Sequence, residues 1–256
     1  MRIQRVLAPN PGPFTGPGTN TWVVGDTAEV VVIDPGPVDF THAAAIEATI
    51  GPRTVAAVIV THTHADHAPL ANPLARTVSA PALGHRPGPD FEPDERLEDG
   101  STVAFADTEL TVIHTPGHSE DHLCFRLGRV LFTGDHIMGG SSVMVDDLAP
   151  YLRSLDRLRA ESFDRLYPGH GPEIEDPGPV IEWYIAHRMQ REREILAVVS
   201  AGARSVRDVV ESVYADVDAS LHPLAARSVA AHLRKLADDQ KVRFSESDGQ
   251  VRPVPT

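Results

Sequence analysis

Cysteine occurs once in the 256 residues, at Cys124, so no disulfide can close within the chain. That fits a reducing compartment. Positive charge is scarce too: 23 Lys and Arg stand against 36 Asp and Glu, a formal charge of −13. A broad basic face, which non-specific nucleic-acid or anionic-membrane binding requires, is therefore excluded. A small local basic patch is not. Aromatic residues make up 5% of the chain, so a core must rest on Val, Leu, Ile and Ala. No stretch reaches the ~18 apolar residues of a membrane span. The start, Met1-Arg2-Ile3-Gln4-Arg5-Val6-Leu7-Ala8-Pro9, has no apolar run of the secretory kind. These absences point to a soluble cytoplasmic protein without a membrane partner. The length exceeds the roughly 100–200 residues of one domain, which suggests one large domain and a small appendage.

Histidine is not scarce, and it is concentrated. Thr61-His62-Thr63-His64-Ala65-Asp66-His67 packs three imidazoles and a carboxylate into one segment. The run before it, Val55 to Val60, is apolar and β-branched and predicts a buried strand. The segment then falls at a strand's C-terminal edge, where α/β proteins place their sites. Imidazole nitrogen and carboxylate oxygen are ligands for zinc and similar divalent metals. His62 and His64, two apart, can point the same way from an extended chain. Asp66 and His67 would turn away from that pair, which suggests two metals sharing one loop.

Read in order, residues 2–8 predict a strand. Asn10 to Thr19 is too rich in Gly and Pro for regular structure. Thr21–Val24 and Glu29–Ile33 predict a hairpin turned at Gly25-Asp26, whose second strand runs into Asp34-Pro35-Gly36. Phe40–Ile50 predicts a helix capped by Thr41 and closed by Gly51-Pro52. A short helix over 68–75, a strand over 78–83 and a loop over 86–100 follow. Strands are expected at 102–105, 109–113, 122–127, 129–132 and 163–167, with a helix over 148–160 whose Leu152, Leu155 and Leu158 share a face. Asp176-Pro177-Gly178-Pro179 reads as a linker. Beyond it come helices over 180–199, 206–215 and 223–237 and a hairpin around Asp248-Gly249, a winged-helix-like set. In the first of these helices Ile181, Tyr184, Ile185, Met189, Leu196 and Val199 fall near one face. Ser205 and Asp208 resemble a capping box. The expected division is 1–176 and 177–256.

Further ligand-type residues lie at the later strand ends: His118, Asp135 and His170. His62, His64 and His118 form one natural metal set. Asp66, His67 and His170 form the other, with Asp135 able to bridge through its two oxygens. Each ion keeps an open position, the mark of a catalytic rather than a structural site.

Asp34 after a strand, His62-x-His64-x-Asp66-His67, then His118, Asp135 and His170, in that order, resemble the metallo-β-lactamase superfamily over about residues 1–175. The resemblance implies an α+β fold, a four-layer αβ/βα sandwich with the metals at one edge of two facing sheets. It implies two divalent ions, zinc by preference, and a metal-bridging hydroxide that attacks a carbonyl or phosphorus centre. Asp34 would orient the metal loop from behind, and Asp66 would hold a metal and handle a proton. His114 and His122 are expected to support the ligand loops in the same way as Asp34.

Departures from the named enzyme narrow the activity. The commonest zinc β-lactamases place Cys where Asp135 stands. An acidic bridge resembles the glyoxalase II, ribonuclease Z and thioesterase branches. The oxygen-reducing branch has Glu in the place of His64, so hydrolysis is favoured. The glutathione-gripping tail of glyoxalase II has no match. Gly18-Thr19-Asn20-Thr21 and His114-Thr115-Pro116-Gly117-His118-Ser119, with the tail, are similar to the β-lactamase-like-2 group, which includes a mitochondrial single-strand endoribonuclease, and to fungal acyl-carrier thioesterases. The expected substrate is a phosphodiester such as single-stranded RNA, or a small-molecule ester or thioester, with a slight lean to the former. A winged-helix regulator of duplex DNA is the rival from another class. Arg234-Lys235 would sit where such a module reads DNA, but Asp238 and Asp239 follow at once, so no duplex DNA is expected. The tail's apolar first helix must be buried against the catalytic part or the same helix of a second copy, as in a homodimer. Of the other histidines, His42, His85, His187, His222 and His232 are expected on the surface or on helices, and Cys124 as a small buried residue.

Overall fold

A computed structural model describes every residue except 27, 141, 255 and 256. Its first sheet has the order β1-β2-β3-β4-β5-β6: β1 Ile3–Leu7, β2 Asn20–Val24, β3 Glu29–Ile33, β4 Thr54–Ile59, β5 Ala82–Gly84 and β6 Glu95–Arg96. The first three strands pair antiparallel and the rest parallel. Helices α1 (Phe40–Ile50) and α2 (Ala71–Val78) make the crossovers that parallel pairing requires. The second sheet has the order β11-β10-β9-β8-β7: β7 Thr102–Phe105, β8 Thr108–His114, β9 Leu123–Leu127, β10 Val130–Gly134 and β11 Arg165–Pro168. It is antiparallel except for the last pair, β10 and β11, which α3 (Leu148–Arg159) connects.

Strand β3 shows why its sequence is apolar throughout. Val31 and Ile33 point into the layer between the sheets, while Val30 and Val32 point to the layer under α1 and α2. A strand covered on both faces cannot alternate with polar residues. Between the sheets, Trp22, Ile33 and Ile59 meet Val112, Phe125, Phe132 and Tyr167. Aromatic rings meet there: Tyr167 stands edge-on to Trp22 at 5.0 Å and stacks on Phe132 at 5.1 Å. Truncating one such residue to Ala typically costs about 3–5 kcal/mol. On the far face of the second sheet, α3 brings Tyr151, Leu155 and Leu158 against Ile113, Leu131 and Leu166. The four layers are those of the αβ/βα sandwich.

Several local expectations are corrected. Asp39, not Thr41, caps α1: its Oδ1 accepts from His42 N at 2.8 Å, and Thr41 only bonds to the same oxygen. Helix α2 begins at Ala71 because the preceding residues are taken up by tight turns, with His67 N and Ala68 N both donating to His64 O. Its last residue is Val78, so the strand expected over 78–83 shrinks to β5, and β6 interrupts the loop expected over 86–100. Asp176–Pro179 is not a linker. Helix α4, Pro177–Ala201, starts at Pro177, whose fixed φ and missing N–H suit a first helical position.

The tail is built from α4, α5 (Val206–Val213), α6 (His222–Asp238), β12 (Val242–Ser245) and β13 (Gln250–Pro253). The capping box at Ser205 and Asp208 is present. The C-terminal half of α4 packs Ile195 and Val199 on Val209, Val229 and Leu233 to form a winged-helix core. Its N-terminal half does something else: Ile181 and Tyr184 join the α3 layer. The buried face of α4 is Ile181, Tyr184, Arg188, Glu192, Ile195 and Val199. An apolar stripe traced through Ile185 and Met189 steps around its two charged members. Glu192 is paired to Lys235 Nζ at 2.8 Å. His42 in α1 and His232 in α6 lie on helices, as expected, and on their buried faces. His42 Nε2 lies 2.9 Å from Thr21 Oγ1, and burial together with the charges of Arg188 and Arg191 pushes His232 down to about 3. His85 and His187 are half-buried, His222 begins α6, and Cys124 is buried as expected. Among the described residues no helix is long and apolar enough to cross a membrane.

Candidate metal centre

The sandwich edge gathers loops from both sheets. The loop after β4 carries His62, His64, Asp66 and His67; the loops after β8, β10 and β11 carry His118, Asp135 and His170. All seven expected ligands converge in two groups, His62, His64 and His118 in one, Asp66, His67, Asp135 and His170 in the other. In the first, His62 Nε2 lies 2.8 Å from His64 Nδ1, and His118 Nε2 lies 3.3 and 3.0 Å from these two. In the second, His170 Nε2 lies 3.2 Å from both His67 Nε2 and Asp66 Oδ2. Asp135 faces both groups. Its Oδ1 is 3.3 Å from His170 Nε2 and 3.4 Å from His67 Nε2, and its Oδ2 is 3.7 Å from His118 Nε2.

These separations fit cations. A tetrahedral ion with bonds of ~2.0–2.1 Å holds its donors roughly 3.3–3.4 Å apart. The outward nitrogens are already committed. His67 Nδ1 donates to Asp34 Oδ2 at 2.9 Å, His118 Nδ1 to Met144 O at 2.7 Å and His170 Nδ1 to Gly18 O at 3.3 Å. Thr61 Oγ1 donates to Asp34 Oδ2 at 2.8 Å, which leaves it to accept from His62 Nδ1 at 2.9 Å. Four Nε2 lone pairs are thereby turned inward, the orientation that supporting groups impose on metal-binding histidine. Asp135 Oδ1 is buried and meets His67 and His170 only at 3.4 and 3.3 Å, short of a well-formed hydrogen bond, which a cation would remedy.

Charge follows the same division. Burial, with the neighbouring His67 and His118, drives His62 well below its ordinary value, and burial with His118 lowers His64. Both offer neutral lone pairs. In the second group burial opposes protonation, but Asp135, Asp34 and Asp66 more than offset it and hold His67 well above its ordinary value. His170 is raised to about 9 against burial by Asp135 and Asp66. Asp66 falls to about 2, burial being outweighed by His67 and His170. Protons occupy this group where cations would sit, so metal and proton compete.

The expected supports fare unequally. Asp34 accepts from Thr61 N at 2.7 Å as well as from Thr61 Oγ1 and His67, and holds a left-handed φ of 51° to do so. Only dense bonding sustains such a backbone in a non-glycine residue. His122 is buried beneath the site: its Nε2 accepts from Asp135 N at 3.1 Å, so its Nδ1 donates to Thr115 Oγ1 at 2.9 Å. His114 bonds no ligand. It binds Glu120 O at 2.9 Å, near the far end of the loop that carries His118, and stacks on His85.

Sequence reasoning missed other supports. Asn20 Nδ2 donates to Pro168 O and Gly171 O, pinning both sides of His170. Its signal was the Gly18–Thr21 phrase, read only as a resemblance. Gly169 needs its missing side chain, since a Cβ there would lie 2.7 Å from Asp135 Oδ1 and from His67 Cε1. The Met144 and Gly18 carbonyls have no sequence signature.

A cavity of about 520 Å³ opens over the ligands, within the usual range for small-molecule sites. His64, Asp66, His118 and Asp135 form its floor, and Phe14, Pro37, Met138 and Met144 its apolar walls. The Gly- and Pro-rich segment after β1 thus forms part of the site. The wall containing Met138 and Met144 is braced from α4: Tyr184 Oη accepts from Met138 N at 3.0 Å, and Arg188 donates to Val143 O.

Comparison with known proteins agrees with this geometry. Residues 14–170 match the model of the Metallo-beta-lactamase superfamily, and residues 205–250 that of the Beta-lactamase associated winged helix domain. The chain is 34% identical to the Beta-lactamase-like protein 2 homolog of Caenorhabditis elegans, covering 93% of this chain and 84% of that one. It is 34% identical to an Atrochrysone carboxyl ACP thioesterase of Aspergillus chevalieri, covering 98% and 86%. A metallo-beta-lactamase family protein from Thermus thermophilus has the same fold, with a TM-score of 0.81 at 22% identity over 98% of both chains.

Proposed function

The chain belongs to the metallo-beta-lactamase superfamily, and on that premise we propose that it is a hydrolase of a small ester or thioester that works with two divalent cations, zinc by preference. The observation that carries this reading is Asp135, which turns one oxygen to each ligand group at the floor of an open cavity. When bound, the cations would supply Lewis acidity and make water a stronger acid.

The residues do the rest. His62, His64 and His118 hold one position; Asp66, His67 and His170 hold the other; Asp135 spans both. Asp34 fixes the His67 ring, and His122 fixes the Asp135 backbone. Asp66 is half-buried at the cavity floor and stays ionised well into acid, which suits its carboxylate to hold a cation across the working pH range. Phe14, Pro37, Met138 and Met144 hold an acyl chain and keep bulk water from it. The catalytic part is assigned to 1–176 and the supporting tail to 177–256.

Several features favour an acyl substrate over single-stranded RNA. The walls are apolar, the formal charge is −13, and several relatives bear the name thioesterase. Duplex DNA is disfavoured by the formal charge of −13 and because Lys235 of α6 is spent on the buried carboxylate of Glu192. A panel on metal-loaded protein tests the reading, comparing an acyl thioester, S-lactoylglutathione, bis-p-nitrophenyl phosphate, single-stranded RNA and a chromogenic cephalosporin. The thioester is expected to turn over fastest. The cephalosporin is expected below ~10⁴ M⁻¹s⁻¹, the lower edge of usual enzyme efficiency, because an aspartate stands where the commonest zinc β-lactamases use cysteine. Phosphodiester cleavage without thioester cleavage would overturn the assignment.

A further inference from the structure

Arg227 of α6 is the one Lys or Arg among the described residues that line the cavity over the ligands. It reaches that rim from the tail, far along the chain from any ligand. Its Nη2 donates to Asp146 Oδ1 at 3.0 Å, and its side chain remains 63% exposed. Asp146 is itself firmly placed. Its backbone N donates to Gly117 O at 2.8 Å, and its carbonyl accepts from Arg234. Two residues earlier, Met144 O receives His118 Nδ1. Arg227 is thereby held on the same short loop that orients a ligand histidine, with guanidinium edges still turned to solvent at the cavity mouth.

An exposed ion pair is weak and easily exchanged. A guanidinium presents several donors in a fixed fork suited to a carboxylate or phosphate. With a formal charge of −13, the chain repels anions at long range, so a cation at the mouth, apart from those at the floor, gives a negative group on the substrate a place to seat. We propose that Arg227 is the residue that recognises a negative group on the substrate, a carboxylate or phosphate lying within one cavity's length of the scissile carbonyl. This rests on the ester or thioester reading above. It gives the winged-helix tail a direct part in substrate choice, because the recognising side chain comes from α6.

Metal-loaded full-length protein and its Arg227→Ala and Arg227→Lys variants test the assignment. The probes are the butyryl and glutaryl thioesters of N-acetylcysteamine, which differ by an acyl-chain carboxylate, and butyryl pantetheine with and without its 4′-phosphate. The parent protein is expected to favour the anionic member of at least one pair by about tenfold, the size of one hydrogen bond to a charged group. Which pair shows it identifies carboxylate or phosphate as the group read. In Arg227→Ala that ratio should fall to near one through KM, with Arg227→Lys between. An equal loss on neutral and anionic members would mean that Arg227 only clamps the Asp146 loop, and would overturn the proposal. So would a parent protein indifferent to charge in both pairs. Calorimetric binding of the four probes, each with a thioether in place of its thioester, reads Arg227 independently of turnover. Absence of any thioester cleavage would fail the reading of the reaction, whereas equal affinities of both variants and parent for all four probes would fail Arg227.

Discussion

Replacing Asp135 by alanine is expected to lower kcat/KM by more than the ~10–100-fold that removal of a group behind a metal ligand typically costs. Among the described ligands only Asp135 places an oxygen toward both groups, 3.3 and 3.4 Å from His170 and His67 and 3.7 Å from His118. Its loss removes a ligand from two positions at once. The fold should survive, because the backbone bond from Asp135 N to His122 is untouched by the change. Asp34→Ala is the internal gauge, since among the described residues the Asp34 carboxylate bonds Thr61 and His67 and no other ligand-group residue. Kinetics and metal content of both variants, with circular dichroism as a check on folding, decide the matter. An Asp135→Ala protein more active than Asp34→Ala would show that Asp135 is not the bridge.

Ending the chain after Asp176 is expected to give an aggregating, inactive protein. The apolar face of α4 must be covered somewhere, and it is covered in part by the catalytic layers: Ile181 and Tyr184 pack with Tyr151, Leu155 and Leu158. Each large side chain fully buried contributes roughly 1.5–3 kcal/mol, so two of them form a sizeable part of the ~5–15 kcal/mol by which a domain is stable. The cut also removes Tyr184 from Met138 and Arg188 from Val143, the braces of one cavity wall. Light scattering and activity of the truncated protein measure the effect. A monodisperse and fully active 1–176 would show that the tail neither covers nor braces the site.

The candidate metal loop was legible because its donor groups are local: a strand of β-branched residues ends and His62, His64, Asp66 and His67 follow. His118, Asp135 and His170 were legible because each follows a strand, so topology returns them to one sheet edge. The layers followed from Val and Ile runs too apolar for a one-sided sheet. What stayed hidden depends on three dimensions. The burial of Arg188 and Glu192 on α4 is made tolerable by partners elsewhere in the chain, Val143 and Lys235, and no periodicity reveals it. His42 reads as a surface or helix residue, and that it sits on the buried face of its helix shows only once Thr21 is seen beneath it. The supports of His118 and His170 are backbone carbonyls, which every residue carries. His114, placed by its nearness in sequence to His118, bonds near the loop's other end instead. The turn of α6 toward Asp146, which brings Arg227 to the cavity, follows from packing across the whole tail.

The most direct measurement is the number of metal ions per chain by elemental analysis, on protein purified without chelator and supplemented with zinc. Two groups of donors sharing Asp135 are expected to hold two ions, with hydrolysis lost on chelation and recovered as the second equivalent is restored. A stoichiometry that stays at one under zinc excess, with full activity, would contradict the dinuclear site.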